Sequence, residues 1–332
     1  MTIYFLERLR KLLKSIGKKE SKIDDLVRFK KFQKNIKNYQ LDTNTEINKD
    51  NNEINNSIKI VASIAFFFDK NKISILNDVC KNLKEISNQA EIYIFTNQIT
   101  SEQEENLKKN IEENVQIKII DEILNPRLLP WYHINFMKKI YEERSEITHF
   151  LYLEDDISIN KSNFNYWLNS RKILKKFNLI PGFVRIEKNK NDGELYAIDF
   201  VKEDKFKYSP KISIDENYFF INHKFPYQGM YLYDRELMKE HLYGPSSNPD
   251  CGHGAFNERY IDARMINLDL MAKANIGLTY LNVPEGFYSR NVLLFDKKKK
   301  IIDERCQIQH LSNKYSNTKS WFGNIKLKDA IK

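Results

Sequence analysis

Glycine is scarce in this chain, 10 in 332 residues, and neither a Gly-x-Gly-x-x-Gly turn nor a P-loop pattern is present. That counts against nicotinamide dehydrogenases and P-loop kinases, which need glycines for backbone to approach phosphate. Cysteine is scarcer still: Cys80, Cys251 and Cys306 stand alone, with no short paired spacing. A disulfide framework and a thiolate zinc site are both disfavoured, and a reducing compartment is expected. No stretch approaches the roughly 18–20 apolar residues that span a bilayer. The start, MTIYFLERLRKLLKSIGKK, is not a secretory signal, because charges break its apolar run and no small-residue cleavage site follows. A cytoplasmic protein is expected. No internal repeat appears.

What the chain does have is apolar bulk and positive charge. Hydrophobic residues make up 41% and aromatics 13%, ample for a packed core. Lys and Arg exceed Asp and Glu by 54 to 45, a net +9 that suggests an anionic partner without choosing among phosphates, lipid and nucleic acid. Much of the excess sits in Arg8–Lys19 and Lys297–Lys300. Near the N-terminus Ile3, Phe5, Leu6, Leu9, Leu12, Leu13 and Ile16 recur at helical spacing among basic residues, predicting an amphipathic helix. Residues 1–19 then either lie on an anionic membrane surface or dock on protein. A second basic helix is expected over Lys22–Tyr39, closing a helical extension at 1–40. The Asn- and Asp-rich tract within 41–57 reads as a linker.

From residue 58 strands and helices alternate. Strands are expected at Ile58–Phe68, Glu91–Thr96, Val115–Ile120 and Phe150–Leu153. Helices are expected at Ile73–Ile86, Ser101–Asn114 (opened by a Ser101–Glu104 capping box), Trp131–Arg144 and Ser162–Phe177. Repeated β-α units of this length predict an α/β fold, a doubly wound, mostly parallel central sheet flanked by helices. A catalytic domain over 58–315 and a C-terminal tail over 316–332 follow. In such sheets ligands bind at the carboxyl ends of the strands.

At one such end stands HFLYLEDDISI. An apolar strand delivers Glu154, Asp155 and Asp156 together, and three adjacent carboxylates are costly to bury unpaired. A divalent cation, Mn²⁺ or Mg²⁺, would relieve the repulsion and could also hold a diphosphate. The competing explanation is a helix N-terminus, where acidic residues are favoured. Beyond it, Arg185 ends another apolar strand and could meet phosphate or acceptor, or pair with Glu187 or the carboxylate cluster. PYQGMYLYDRELMKEHL is rich in aromatics, so Tyr227, Gln228 and Tyr231 could line a sugar site or simply form core. A loop with Gly244, Gly252 and Gly254 surrounds His253 and precedes Glu258 and Asp262. His310 stands in CQIQHLSNKY, and Arg290 and Lys314 are further phosphate candidates.

YLEDDISINKSNFNYWL resembles the EDD form of the DxD motif in glycosyltransferases of the GT-A fold, and is similar to the inverting N-acetylglucosaminyltransferase I type. The resemblance spans roughly Ile58–Tyr315 at the level of motifs. It implies a GT-A-like fold and transfer from a nucleotide-diphosphate sugar, a UDP-sugar foremost, to a glycan or glycolipid. It also implies that Asp156 binds the metal, with His310 as a further ligand. Glu154, Asp155, Phe68, Asp69, Asn97, His133 and Arg185 fall to the donor, and His253 to the acceptor. Glu258 matches the position of the catalytic base, with Asp262 as its competitor. A nucleotidyltransferase remains the main rival, although AFFFDKNK lacks that class's Gly-rich basic loop. A non-enzymatic membrane or nucleic-acid binder is a weaker rival, since the aromatics fall in core strands rather than among surface cations; no nucleic-acid partner is expected. The Asn, Lys and Ile bias suggests an AT-rich bacterial genome, and with it surface polysaccharide synthesis, as capsule or lipooligosaccharide, at the inner face of the cytoplasmic membrane.

Overall fold

A computed structural model describes residues 21–41, 57–87, 89–200, 206–249, 269–318 and 323–330, with a few isolated positions before residue 57. The second basic helix, α1 (Ser21–Lys34), continues as a 3-10 turn over Ile36–Tyr39. It is not a free arm. Asp25 accepts from Lys224 Nζ at 2.7 Å and from the Tyr288 hydroxyl at 2.9 Å. Phe32 is buried edge-on against Phe287, centroids 5.5 Å apart. The remainder of the expected 1–19 helix lies outside the described residues except for Ile3 and Arg8. Within the stretch read as a linker, Ile47 is buried in the core.

The apolar run after residue 58 forms β1 (Ile60–Phe66), followed by α2 (Ile73–Ile86), β2 (Glu91–Asn97), α3 (Ser101–Asn110) and β3 (Val115–Ile120). The capping box of α3 falls one residue earlier than expected. Thr100, in extended backbone, accepts from the Gln103 N–H, and Gln103 Oε1 accepts from the Thr100 N–H at 2.9 Å. A 3-10 turn (Pro126–Trp131) holds Pro130, so α4 begins only at His133 and runs to Glu143. Then come β4 (His149–Glu154), β5 (Ile157–Ser158) and α5 (Lys161–Leu174).

The expected α/β architecture is what the structure shows. The central sheet has the order β11-β4-β1-β2-β3, where β11 is Met230–Asp234; β1, β2, β3 and β4 run parallel and β11 runs antiparallel to β4. The chain steps outward from β1 to β3, then crosses back to place β4 on the other side of β1. That reversal makes a switch point between the carboxyl ends of β1 and β4, the crevice where this class of sheet binds ligands. Burial explains the continuous apolar runs: Phe150, Leu151, Tyr152 and Leu153 are all fully buried. A strand covered on both faces shows no alternation.

Two smaller sheets complete the fold. One joins β6 (Ile180–Pro181), β9 (Lys211–Ser213), β10 (Tyr218–Asn222), β12 (Asn291–Asp296) and β13 (Ile301–Ile302). The other has the order β15-β8-β7-β14-β5, with β7 at Val184–Lys188, β8 at Leu195–Ala197, β14 at Gln307–His310 and β15 at Ile325–Lys326. The stretch read as a C-terminal tail therefore carries a strand, paired with β8. Leu327 and Ala330 just beyond it are buried, which is why the segment docks. Helices α6 (Arg235–Leu242) and α7 (Leu270–Ile276) flank the segment 250–268, which lies outside the described residues. Among the described residues no helix is long and apolar enough to cross a membrane.

Candidate functional site

The three carboxylates end β4 at the switch point, but they do not open a helix. β5 intervenes, and α5 is capped by Asn160 in a box with Asn163, with no acidic residue in its first turn. The helix-terminus explanation therefore fails. Each carboxylate instead faces a different partner. Glu154 Oε1 accepts from the Tyr227 hydroxyl at 2.5 Å and from Asn275 Nδ2 at 3.0 Å. Asp155 Oδ2 meets Lys72 Nζ at 3.2 Å, a contact that bridges the β1 and β4 sides of the crevice. Asp156 Oδ2 lies 3.2 Å from His310 Nε2 and 3.9 Å from Lys314 Nζ.

These surroundings move the two aspartates apart. Burial, then the neighbouring Asp156 charge, pushes the Asp155 carboxyl up to about 6, with Lys72 pulling the other way. Burial would raise Asp156 as well, but hydrogen bonding and charge from His310, with Lys314 behind, hold it well below the carboxylate range. Burial alone would lower His310; bonds to Asp156 and Glu187 raise it instead. One aspartate thus stays ionised far into acid while the other takes up its proton near pH 6, the separation that perturbed acidic pairs show at functional sites.

Sheet pairing brings His310 here. The antiparallel register of β14 on β5 sets His310 against Ile157, and the Leu311 N–H donates to the Asp156 carbonyl at 2.8 Å. On the other side of β14, β7 runs parallel with Gln309 against Ile186, so Glu187 falls beside His310. The His310 Nδ1–H donates to Glu187 Oε1 at 2.5 Å.

Arg185 reaches toward the site but is committed. Its guanidinium meets Asp199 in three contacts of 3.1, 3.1 and 2.6 Å, both residues buried. It also lies 4.6 Å over the Tyr227 ring and 3.8 Å from Glu154 Oε2. Sequence offered Glu187 or the carboxylate cluster as its ion-pair partner; the close partner is Asp199, while Glu187 pairs with His310. Gln228 is buried and accepts from the Phe183 N–H. Gly229 beside it has φ +62, and a Cβ there would sit 2.9 Å from Glu154 Oε2.

His133 and Tyr231 are brought together, but in the core beneath the sheet. Both are buried and bonded to each other, and His133 stacks on Tyr152 with centroids 4.1 Å apart. Burial lowers His133 to about 3, so its ring is neutral. At the opposite rim Asn97 Oδ1 accepts from the Phe68 N–H at 2.7 Å, tying the loops after β1 and β2 together. Asp69 caps the next turn by accepting from the Asn71 N–H at 2.9 Å. Arg290 is buried with Glu240 and Asn178 away from the carboxylates. His253, Glu258 and Asp262 lie outside the described residues. Sequence reasoning missed Lys72, Asp199 and Asn275, and considered Glu187 only as a partner of Arg185.

No family model matches the chain, and no curated protein matches it. Among solved structures it is similar to 4-diphosphocytidyl-2C-methyl-D-erythritol synthase from Anaerococcus prevotii, at 9% identity and a TM-score of 0.29, covering 56% of this chain and 76% of that one. It is also similar to an active-site mutant of LgtC, at 12% identity and a TM-score of 0.27, covering 53% of this chain and 57% of that one.

Proposed function

We propose that this chain is a metal-dependent glycosyltransferase that moves a sugar from a nucleotide-diphosphate donor, a UDP-sugar foremost, to a hydroxyl of a glycan or glycolipid with inversion. One observation carries the reading: at the switch point, Asp156, the buried member of the carboxylate triplet, faces the imidazole of His310 at 3.2 Å.

The donor set fits a hard divalent cation, Mn²⁺ or Mg²⁺. Neighbouring ligands on an octahedral cation with bonds of about 2.1 Å lie about 3 Å apart, and the Asp156–His310 spacing is 3.2 Å. Among the described residues no group of three His, Cys, Asp or Glu is arranged to hold a metal. Donor phosphate oxygens and water would therefore complete the coordination, as is usual for Mg²⁺. A bound cation offsets the charge that develops on the nucleoside diphosphate leaving group. Lys314, its side chain half exposed beside Asp156, supplies a further positive group toward phosphate. Asp155 and Lys72 border the donor side. Tyr227, stacked on Arg185, offers its part-buried ring as a wall, with Phe68 and Asn97 at the nucleotide rim. Glu258, or Asp262 in its place, takes the proton from the attacking hydroxyl, and His253 contacts the acceptor. Residues 1–19 bring the enzyme to an anionic membrane surface during bacterial surface polysaccharide synthesis.

Purified full-length protein should bind or slowly hydrolyse one of a panel of UDP-, GDP- and CMP-sugars only with Mn²⁺ or Mg²⁺. Asp156→Ala should abolish that dependence, and Glu258→Gln should stop transfer while donor binding persists. Metal-independent binding, or an Asp156→Ala variant that behaves as wild type, refutes the proposal. Release of pyrophosphate from a nucleoside triphosphate and a sugar phosphate would identify a nucleotidyltransferase instead. Deleting Met1–Lys19 should reduce sedimentation with anionic vesicles.

A further inference from the structure

We infer that Glu187 is the positioning residue of the metal site, holding His310 in the tautomer that turns Nε2 toward Asp156; the inference rests on the metal-dependent reading above. The Glu187 side chain is fully enclosed. Its carboxylate accepts three N–H groups: His310 Nδ1 at 2.5 Å, Ser316 N at 2.6 Å and Tyr315 N at 3.2 Å. A carboxylate buried this deeply is costly unless every partner is in place.

What it orients is equally constrained. His310 has its Nδ1 edge on Glu187, its Nε2 edge on Asp156, and Tyr315 stacked 5.3 Å away at 20°. The Ser312 hydroxyl stands 3.3 Å from Nε2. Carboxylate, imidazole and carboxylate thus run in line, with the inner carboxylate buried among backbone donors and the outer one at the crevice. Metal-ligating histidines usually donate their distal N–H to such a carboxylate, which fixes the ring and raises its basicity. The same carboxylate fastens the return of the His310–Ser316 loop. It therefore also fixes Lys314, whose Nζ is 3.9 Å from Asp156. The Tyr315 and Ser316 N–H groups use different oxygens, Oε1 and Oε2, and the imidazole shares Oε1, so both oxygens of a carboxylate are engaged and an amide could not accept all three.

The test measures Mn²⁺ affinity, alone and with UDP, on the full chain and its Glu187→Gln variant. It is paired with long-range ¹H–¹⁵N spectra of His310 in alkaline buffer. Wild type should bind Mn²⁺ and show His310 protonated at Nδ1. Glu187→Gln, with unchanged circular dichroism, should bind Mn²⁺ about 10–100-fold more weakly and lose the single tautomer. Equal affinity in the two proteins overturns the role of Glu187 while leaving the metal reading intact. No Mn²⁺ binding by wild type, with or without UDP, overturns the metal reading itself. If Glu187→Gln does not fold, the wild-type spectrum decides alone: a His310 protonated at Nε2 refutes the inference.

Discussion

Arg185 offers the sharpest separation of a supporting role from a ligand role. Arg185→Met leaves the Asp199 carboxylate buried, because Asp199 is only 8% exposed and its three guanidinium contacts vanish together. Removing one partner of a buried pair costs about 3–5 kcal/mol, whereas replacing both with apolar residues is often neutral. The ring of Tyr227 also loses the cation 4.6 Å above it, which adds about 0.5–2 kcal/mol. Urea unfolding should therefore show a lower midpoint at unchanged slope, and Arg185→Met with Asp199→Leu should recover most of the loss. The pH dependence has a definite sign. Burial already pushes the Asp199 carboxyl up, and Arg185 pulls it back. Without Arg185 the folded value rises further above the unfolded value of about 3.9. The native state then holds the proton more tightly than the unfolded chain, so stability falls as pH rises. The variant's deficit should be small near pH 4 and grow toward neutrality. An Arg185→Met protein as stable as wild type but unable to bind donor would refute this reasoning and make Arg185 a ligand.

Asp155 follows the same linkage, since its folded value of about 6 exceeds the unfolded one. A difference of about 2 pH units at 1.36 kcal/mol each means that Asp155→Asn should be more stable than wild type by about 3 kcal/mol above pH 6, with the gap closing near pH 4 in metal-free urea titrations. Gly286 has φ +92, and an added Cβ would stand 2.6 Å from the Phe32 backbone nitrogen. Gly286→Ala should lift α1 off the domain, seen as faster hydrogen exchange over residues 21–39 than in β1 or β4, at a backbone cost of about 1–2 kcal/mol. Gly229→Ala, at φ +62 beside Glu154, should lose a similar 1–2 kcal/mol or so and slow metal-dependent donor hydrolysis more than global unfolding explains.

Whatever is local in the chain could be read from it. Strands β1 to β3 announce themselves through β-branched residues and β4 as an apolar and aromatic run, which ends on Glu154 with Asp155 and Asp156 directly after it. Short-range punctuation was less legible. The helix at Ser101 starts where expected but is capped by Thr100, and the Pro126–Trp131 turn delays the next helix by two residues, because several polar or proline positions compete for the same role. The Met1–Lys19 helix and the Glu258 segment belong to residues outside the described structure. His310 was reached through a resemblance, since a lone histidine carries no spacing signal.

Glu187 is different, because the signal for it was present. Alternation along Val184–Lys188 puts Arg185 and Glu187 on one face of a strand whose first four residues are all buried. Two charges so placed can pair with each other or find separate partners elsewhere. Pairing with each other would have made the strand electrostatically self-sufficient and silent about function. The structure gives them different partners, Asp199 for Arg185 and His310, 123 residues away, for Glu187. Each charge also reaches the carboxylate triplet: Arg185 lies 3.8 Å from Glu154 and over the Tyr227 ring bonded to it, and Glu187 acts through His310 on Asp156. A buried strand that carries two charges of opposite sign and joins neither to the other is better explained as the support of a polar site than as core. That inference needs only the alternation, the burial and the two separate partners, so it applies to β7 before any ligand is identified.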